Sequence, residues 1–200
     1  MSDVKRRIGL TMRIQQADGY HEPRDALAQC WADFLAVALP AAKWMYLPSL
    51  GAEAIADYCD AWGLNGLILT GGEDVGSSPL RDATERTLLD WAERDAKPVL
   101  GICRGLQLMT SLSGGHLQHV EGHVASRHPL SGRYTHEVNS YHGLGIKDCP
   151  RGYEILARAP DDTIEAIGHL ELPWQGWMWH PERERISNAH DIEAIRRVFA

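Results

Sequence analysis

One stretch, residues 97–109 (KPVLGICRGLQLM), constrains the fold more than any other part of the chain. It opens with Val99–Ile102, a short apolar run of the kind found in buried parallel strands. Helical spacing follows at once, and Cys103 stands at the change of period, between Gly101 and Gly105. A strand that turns sharply into a helix needs small residues on both sides of the turning residue. The stretch therefore predicts a thiol above a sheet edge, at a helix N-terminus whose dipole favours the thiolate.

The rest of the chain alternates short apolar runs with amphipathic segments. Apolar runs predict strands at residues 7–12, 43–47, 64–69, 136–141, 154–159, 163–167 and 174–179, besides the one before Cys103. Helical spacing predicts helices at residues 23–38, 52–62, 81–96 and 188–199, besides the one after Cys103. This alternation predicts an α/β fold over residues 1–200, in one domain, with a mainly parallel sheet and helices on both faces.

Polar segments between these elements predict loops at residues 13–22 and 114–134, the second rich in Gly, His and Arg. In parallel α/β sheets the functional site lies beyond the carboxyl ends of the strands. This rule brings Cys103 close to residues 13–24 and to the turn 70–75 (TGGEDV). It also makes segment 114–134 a loop over the site.

A thiolate nucleophile needs a base, and the base needs an acidic group that orients it. His180 and Glu182 follow the last apolar strand, and residues i and i+2 of a strand point to one face. A carboxylate in that position bonds the far nitrogen of the imidazole and fixes its tautomer. The acid follows the histidine here, whereas in α/β-hydrolases it precedes the histidine, so the order argues against that fold.

An acyl intermediate carries an oxyanion, which needs hydrogen-bond donors. The backbone N–H of Arg104, the residue directly after Cys103, is one candidate donor. A backbone N–H of Gly71 or Gly72 is the other, because two glycines allow a close approach of the main chain.

Composition and cysteine spacing exclude several classes of protein. The net charge of −7 argues against general nucleic-acid binding, and no apolar run is long enough to span a membrane. The four cysteines form no CxxC pair and no metal-binding spacing, and Cys30 and Cys59 fall on apolar helical faces that predict core positions. No secretory signal precedes the first strand, so we expect a cytoplasmic protein whose thiols stay reduced.

Four segments together resemble the class I glutamine amidotransferase superfamily, in the variant of its γ-glutamyl hydrolase branch, the C26 peptidases. In chain order they are 70–75 (TGGEDV), 101–105 (GICRG), 138–142 (VNSYH) and 179–182 (WHPE). The resemblance covers nearly the whole chain and implies a three-layer, flavodoxin-like sheet with a Cys103–His180–Glu182 triad. It implies no metal and no cofactor in the reaction. It also implies that a glutamyl head group is held by side chains or main chain of Gln107, Asn139, Ser140, Tyr141 and His142.

Two further segments, 19–27 and 178–184, resemble members of that branch that release glutamate from γ-glutamyl-CDP-amidate in the synthesis of capsule phosphoramidates. A nucleotide-linked substrate of this kind needs cations for its diphosphate. Six basic side chains in segments expected near the site are candidates for this role: Arg13, His21, Arg24, His123, Arg127 and His128.

Three other functions stay open from the sequence. The substrate could be γ-glutamyl-GABA or another γ-glutamyl amine, or the protein could be a glutaminase that passes ammonia to a synthetase. A catalytically silent ligand-binding protein is the alternative from another class, and the intact Cys, His and Glu argue against it. The preferred interpretation needs a small-molecule γ-glutamyl substrate. It includes no nucleic-acid, membrane or obligatory synthetase partner and leaves a homodimer open.

Overall fold

A computed structural model describes residues 6–200. The strands in this range are β1 Arg7–Thr11, β2 Arg13–Gln16, β3 Pro23–Ala26, β4 Lys43–Leu47, β5 Gly66–Leu69, β6 Val99–Ile102, β7 Gln118–His119, β8 Val124–Pro129, β9 Ser131–Gly132, β10 Glu137–Tyr141, β11 Leu144–Gly145, β12 Tyr153–Arg158, β13 Ile164–His169 and β14 Trp174–Trp177. The helices are α1 Cys30–Ala38, α2 Ile55–Ala61, α3 Pro79–Arg94, α4 Arg104–Leu112 and α5 Ala189–Val198, and a short 3₁₀ helix covers Pro181–Arg183. Within residues 6–200 no helix is both long and apolar enough to cross a membrane.

One eight-stranded sheet, in the order β4-β1-β5-β6-β14-β13-β12-β9, organises the fold. Its first five strands are parallel to one another, and their order is the 2-1-3-4-5 of flavodoxin-like sheets. Strands β13, β12 and β9 extend the sheet in antiparallel pairing. The predicted mainly parallel α/β sheet is therefore confirmed, and the antiparallel β12–β13 pair occupies the residues predicted as strands at 154–159 and 163–167.

The alternation of side chains along the parallel strands divides the core between the two faces of the sheet. Ile68 and Leu100 pack on one face, in a cluster with residues of α1 and α5. Their neighbours Leu67 and Val99 pack on the other face with residues of α2, α3 and α4. Because helices cover both faces, these strands are apolar throughout, which is why the sequence marks them so clearly.

The carboxyl ends of the parallel strands meet at one edge of the sheet. The N–H of Cys103, directly after β6, donates to the carbonyl of Trp177 at the end of β14 with a distance of 2.7 Å. The N–H of Thr70, directly after β5, donates to Thr11 Oγ1 at the end of β1 with a distance of 3.1 Å. The residues that follow four different strands are thereby held together at this edge.

Segment 13–26 differs from the prediction, which placed a loop at 13–22 and the start of a helix at Pro23. It is an antiparallel hairpin of β2 and β3, and α1 begins only at Cys30. Asp25 explains the difference, because its carboxylate accepts from the N–H and the hydroxyl of Ser49 at 3.1 and 2.7 Å. These bonds hold β3 extended against the chain that follows β4, and Pro23 is tolerated as the first residue of an exposed strand.

Segment 114–134 also has more structure than the predicted loop. It contains β7, β8 and β9, which pair with β11, β10 and β12. All residues of β8 (VASRHP) are exposed or half-buried, and its apolar residues are among the exposed ones. No apolar alternation therefore marks this strand in the sequence, and the periodicity that reveals the central strands is missing.

Candidate active site

The turn from β6 into α4 has the sharp geometry that the sequence predicts. Cys103 has φ 51° and ψ −100°, a backbone conformation that costs an L-residue on the order of 1–3 kcal/mol. The flanking glycines make the turn sterically feasible. A Cβ on Gly101 would lie 2.6 Å from Met109 Sδ, and a Cβ on Gly105 would lie 2.4 Å from the carbonyl oxygen of Leu69. Cys103 is 7% exposed, so the thiol can be reached but is nearly dry.

His180 and Glu182 are in contact, although by a different geometry from the one predicted. Strand β14 ends at Trp177, and Glu182 lies in the 3₁₀ helix rather than on a strand. The tight turn of that helix brings Glu182 Oε1 to 2.7 Å from His180 Nδ1. The prediction that His180 and Glu182 lie two residues apart on a strand was wrong. The predicted contact between the carboxylate and the imidazole is present. Because both side chains are buried, the carboxylate fixes the ring with a proton on Nδ1.

The surroundings of His180 favour the protonated imidazole. Burial lowers its pKa, but the charge of Glu182 and the interaction with Cys103 outweigh burial and raise the pKa to about 9. At neutral pH His180 is therefore a cation between a carboxylate and a sulfur. Such a cation stabilises a thiolate and can also supply a proton to a leaving nitrogen.

Two segments expected to supply oxyanion donors lie next to Cys103 and His180. Arg104 is the first residue of α4, and the first N–H groups of a helix have no acceptor within it. The turn of Gly71 and Gly72 lies against the base, since a Cβ on Gly71 would be 2.6 Å from His180 Cε1. Glycine is required for that approach. The structure thus brings both segments that were expected to form an oxyanion hole to the edge where Cys103 lies.

A buried network of charges holds this turn, and the sequence analysis did not identify it. Arg81 donates to the carbonyl of Thr70 at 2.7 Å, to Glu73 at 2.9 Å and to Glu85 at 2.9 Å. The guanidinium of Arg104 also binds Glu85. The Arg104 side chain is therefore turned into the protein, and only the backbone N–H of Arg104 is left for an oxyanion. The i, i+4 spacing of Arg81 and Glu85 is visible in the sequence, but it is equally typical of an exposed helix face.

Asn139 holds His180 through side-chain hydrogen bonds to the His180 main chain. Its Oδ1 accepts from the N–H of His180 at 2.9 Å, and its Nδ2 donates to the His180 carbonyl at 2.8 Å. Nδ2 also donates to Glu184 at 2.8 Å. The contact with substrate that was expected of Asn139 is replaced by this two-point clamp, because the buried amide is already engaged at both ends.

Tyr141 reaches the site from β10. Its ring stands edge-on to the His180 imidazole, with 6.0 Å between the ring centroids, and it is half-exposed. The guanidinium of Arg183 lies over the same ring, 4.8 Å from its centroid. Arg183 was not predicted as a site residue, because the charged run ERER after His180 and Pro181 is typical of a solvated turn. Its position beside Tyr141 makes it a cation next to the triad.

The other residues expected around a glutamyl head group are buried. Gln107 donates its Nε2 to the carbonyl of Leu144 at 2.9 Å. Ser140 Oγ donates to the carbonyl of His123 at 2.7 Å, and His142 is 3% exposed. Neighbours in an extended chain point to opposite faces, so the side chains of Ser140 and His142 point away from the face of Tyr141. The expectation that these two side chains contact substrate is therefore wrong for this structure, in which both are buried.

The hairpin residues expected to bind a diphosphate lie at different distances from the site. Arg13 is at the base of the hairpin, where its Cβ is 2.9 Å from the position of a Cβ on Gly72. Arg24 lies on β3 rather than in the first turn of α1, and its guanidinium binds Glu22 Oε1 at 2.6 Å. His21 lies at the exposed tip of the hairpin. Of these three, Arg13 is the one placed beside the Gly71–Gly72 turn.

The candidates from segment 114–134 are engaged elsewhere. Arg127 binds the carboxylates of Glu137 and Glu184 at 2.8 and 2.9 Å. His123 and His128 face the buried carboxylate of Glu165. The expectation that these three side chains bind a diphosphate is corrected, because each of them already faces an acidic group.

Comparison with known proteins places these residues in a family context. The sequence model of "Glutamine amidotransferase class-I" matches residues 48–200, which include Cys103, His180 and Glu182. The gamma-glutamyl-CDP-amidate hydrolase of Campylobacter jejuni is 30% identical over 199 residues, 96% of this chain and 97% of that protein. A glutamine-hydrolyzing GMP synthase subunit of Methanocaldococcus jannaschii is 30% identical over 139 residues, 64% of this chain and 70% of that protein. Among solved structures, a protein assigned as a GMP synthase subunit from Thermoplasma acidophilum has a TM-score of 0.72 at 16% identity, over 98% of this chain and 92% of that chain.

Proposed function

The chain belongs to the class I glutamine amidotransferase family of amide hydrolases, and we propose that it releases glutamate from a γ-glutamyl amide through a thioester on Cys103. One observation carries the proposal: a buried His180 that interacts with both Cys103 and Glu182 at the carboxyl edge of the sheet. An amide is the substrate class that uses such a pair, because its nitrogen leaves only when it receives a proton.

In the proposed reaction the sulfur of Cys103 attacks the γ-carbonyl carbon. The C–N bond breaks as His180 gives its proton to the leaving nitrogen, and Glu182 keeps the imidazole oriented. Water then attacks the thioester while His180 takes its proton, which releases glutamate and regenerates the Cys103 thiolate beside protonated His180. The N–H groups of Arg104 and of the Gly71–Gly72 turn stabilise the oxyanion in both steps.

The leaving group that we propose is cytidine diphosphoramidate, so that the substrate is γ-glutamyl-CDP-amidate. The full-length similarity to the Campylobacter jejuni enzyme named for that substrate supports this choice. So do two cations near the triad, Arg13 beside the oxyanion turn and Arg183 on the ring of Tyr141. A guanidinium binds phosphate oxygens in a bidentate fork, which suits a diphosphate better than the single carboxylate of a small γ-glutamyl amine.

A substrate panel with glutamate release as the readout tests the proposal. Wild-type protein is given γ-glutamyl-CDP-amidate, γ-glutamyl-GABA and glutamine, and we expect the highest kcat/KM with the nucleotide. Cys103→Ala should lose roughly 10³-fold or more of the activity, whereas Cys149→Ala, which removes an exposed thiol, should keep it. Full activity of Cys103→Ala would remove the thioester from the mechanism.

The other outcomes of the panel identify the alternatives. A preference for γ-glutamyl-GABA would keep the chemistry and change the leaving group. A preference for glutamine would indicate a glutaminase, the activity that the similarity to a glutamine-hydrolyzing GMP synthase makes the second candidate. If no substrate is hydrolysed, a silent ligand-binding protein becomes the better interpretation.

Thiol labelling checks this last alternative separately. Burial raises the pKa of Cys30 and Cys149 and raises that of Cys59 to about 12. A reactive nucleophile at Cys103 should therefore be labelled first by limiting iodoacetamide at neutral pH. Peptide mapping that finds Cys149 labelled first would count against an active nucleophile.

A further inference from the structure

Four side chains outside the triad converge in the interior. His123, His128, His142 and Glu165 each direct one nitrogen or oxygen to a common point, and these four atoms lie within 4.8 Å of one another. Glu165 is on β13 and is completely buried, His123 and His142 are 4% and 3% exposed, and His128 is half-buried. A carboxylate in such a place needs a strong partner, because burying an unpaired charge is very costly.

The distances inside this His₃Glu cluster are longer than those of charged hydrogen bonds. Glu165 Oε1 lies 3.3 Å from His123 Nδ1, 3.4 Å from His142 Nε2 and 3.7 Å from His128 Nε2. A hydrogen bond between an imidazolium and a carboxylate is typically about 2.7–2.9 Å long. Four ligands at about 2.0–2.1 Å from a tetrahedral ion are separated from one another by roughly 3.3–3.4 Å. The distances of His123 and His142 from Glu165 therefore match the spacing of ligands around a metal ion, and His128 lies slightly farther out.

Hydrogen bonds between the described residues account for only one of the five inward-facing atoms, His123 Nδ1, which lies 3.4 Å from Ser140 Oγ. Neither oxygen of Glu165 has a hydrogen-bond partner in residues 6–200, and the same holds for Nε2 of His128 and Nε2 of His142. Native proteins pair nearly all buried polar atoms, so several orphaned atoms aimed at one point indicate a missing partner. A metal ion is such a partner, because it accepts electron pairs from nitrogen and oxygen at the same time.

The outward-facing nitrogen of each ring meets an oxygen. His142 Nδ1 lies 3.1 Å and His128 Nδ1 lies 3.4 Å from a backbone carbonyl oxygen, and His123 Nε2 lies 3.4 Å from Asp161 Oδ1. A ring that directs its proton outward has a free electron pair on its inner nitrogen. Metal-binding histidines almost always have this arrangement, with a carbonyl or a carboxylate behind the ring.

We propose that the His₃Glu cluster binds one zinc ion, through His123 Nδ1, His128 Nε2, His142 Nε2 and the carboxylate of Glu165. Three imidazoles and one carboxylate form a ligand set for zinc, whereas calcium and magnesium take oxygen ligands. Four protein ligands complete a tetrahedral shell, so the ion has a structural role and takes no part in the amide hydrolysis. Asp161, which also binds Lys147 at 3.0 Å, lies behind His123 and faces its outer nitrogen.

The zinc site lies directly behind the residues that form the active site. His142 adjoins Tyr141, and the carbonyl of Glu165 accepts from the N–H of Met178, two residues before His180, at 2.7 Å. The ion therefore fastens the β8–β10 pair, from which the Asn139 clamp comes, to β13 of the main sheet. Its role is to hold the base and the head-group segment in register.

Metal analysis of tag-free protein, purified without added metal, tests the proposal directly. We expect roughly one zinc ion per chain in the wild type and less than about a fifth of that in Glu165→Gln and in His128→Asn. The matched controls are Glu154→Gln on the adjacent strand β12 and His119→Asn on β7, both exposed, and both should keep the wild-type zinc content. Removing zinc from the wild type with a strong chelator should lower Tm by roughly 5 °C or more, and refilling with zinc alone should restore it.

Chelation and refilling use only the wild-type protein, so they test zinc binding even if a ligand variant fails to fold. A wild-type protein that takes up no stoichiometric zinc and shows no shift of Tm would overturn it. The cluster would then be a network in which protonated histidines neutralise Glu165. Stoichiometric binding of a different metal in preference to zinc, or full zinc content in Glu165→Gln, would equally contradict the assignment.

Discussion

At the scale of single residues, Glu182 acts on the reaction only through His180. Glu182→Gln keeps the shape of the side chain. It removes the charge that orients the imidazole of His180 and keeps it protonated. We expect it to lower kcat by roughly a hundred- to a thousandfold, less than His180→Ala does. Without that charge the pKa of His180 falls, so the limb of the kcat profile that reports loss of its proton should move to lower pH.

Steady-state glutamate release measured across pH tests this prediction, with Glu193→Gln on the exposed face of α5 as the control. A Glu182→Gln variant as inactive as His180→Ala would show that the carboxylate does more than orient the base. An unchanged pH profile would show that the charge of Glu182 does not set the pKa of His180.

The three residues of the proposed triad could be expected to lie together from the sequence because each stands in a local pattern. Cys103 marks a change of period between two glycines, and His180 and Glu182 follow an apolar strand within a few residues. Asn139 and Arg81 could not be assigned in this way. Their roles consist of contacts with the His180 main chain and the Thr70 carbonyl, and no spacing along the chain encodes those contacts.

At the scale of elements, the packing of α4 on β5 depends on Gly105. Alanine at a helical position would ordinarily be favoured over glycine by about 1 kcal/mol. Here the new Cβ would stand 2.4 Å from the carbonyl oxygen of Leu69, a backbone atom in the centre of the sheet that cannot move aside. We expect the clash to dominate, so that Gly105→Ala loses about 1–3 kcal/mol of the free energy of unfolding.

Urea unfolding measures this loss, and Gly143→Ala is the matched control because nothing lies within 4 Å of its new Cβ. The control should stay within about 0.5 kcal/mol of the wild type. Equal stability of the two variants would mean that α4 can shift away from β5, contrary to the tight packing of the elbow.

The β2–β3 hairpin gives a prediction about the leaving group that rests on the proposed substrate. Arg13 lies at the base of the hairpin beside Gly72, whereas Arg24 is already paired with Glu22. We expect Arg13→Ala to lower kcat/KM for γ-glutamyl-CDP-amidate by roughly ten- to a hundredfold, the effect of one lost charged hydrogen bond. Arg24→Ala, the matched control, should change kcat/KM little.

Parallel assays with a small γ-glutamyl anilide separate loss of phosphate binding from misfolding, because the anilide has no diphosphate. Arg13→Ala should hydrolyse the anilide at nearly the wild-type rate. Equal losses on both substrates would instead assign Arg13 a structural role, for example in fixing the oxyanion turn.

How well an element could be predicted depended on whether both of its faces are buried. The parallel strands β5 and β6 were predicted within about two residues, because helices cover both of their faces and every residue is apolar. The hairpin β2–β3 and the strand β8 were missed because their side chains are largely polar and exposed. The 3₁₀ helix at Pro181–Arg183 was missed as well, since three residues carry no detectable period.

At the scale of the whole molecule, the buried cation of His180 couples stability to pH. Its pKa of about 9 in the folded protein exceeds the ordinary value of about 6.5, so the folded state holds more protons between these two pH values. The free energy of unfolding therefore falls as the pH rises through this window. The stabilisation that the His180 proton gives to the folded state is fully present below about pH 6.5. It adds at most about 3 kcal/mol to the free energy of unfolding.

Urea midpoints measured at about pH 6 and about pH 9.5 check this coupling. The midpoint of the wild type should fall more steeply between them than that of His180→Asn, in which the coupled proton is absent. Parallel pH dependences in the two proteins would show that the proton on His180 does not contribute to folding.

The position of β14 has a consequence for how the protein is made. This strand pairs with β6 on one side and with β13 on the other. The β6 edge of the sheet is therefore completed only after residues 174–177 have been synthesised. A nascent chain that has emerged only to the end of β12 leaves the apolar β6 as an open edge, which is a template for aggregation. His180 and Glu182 arrive with the same late segment. The proposed nucleophile is thus translated long before its proposed base, so an unfinished chain carries Cys103 without His180 and Glu182.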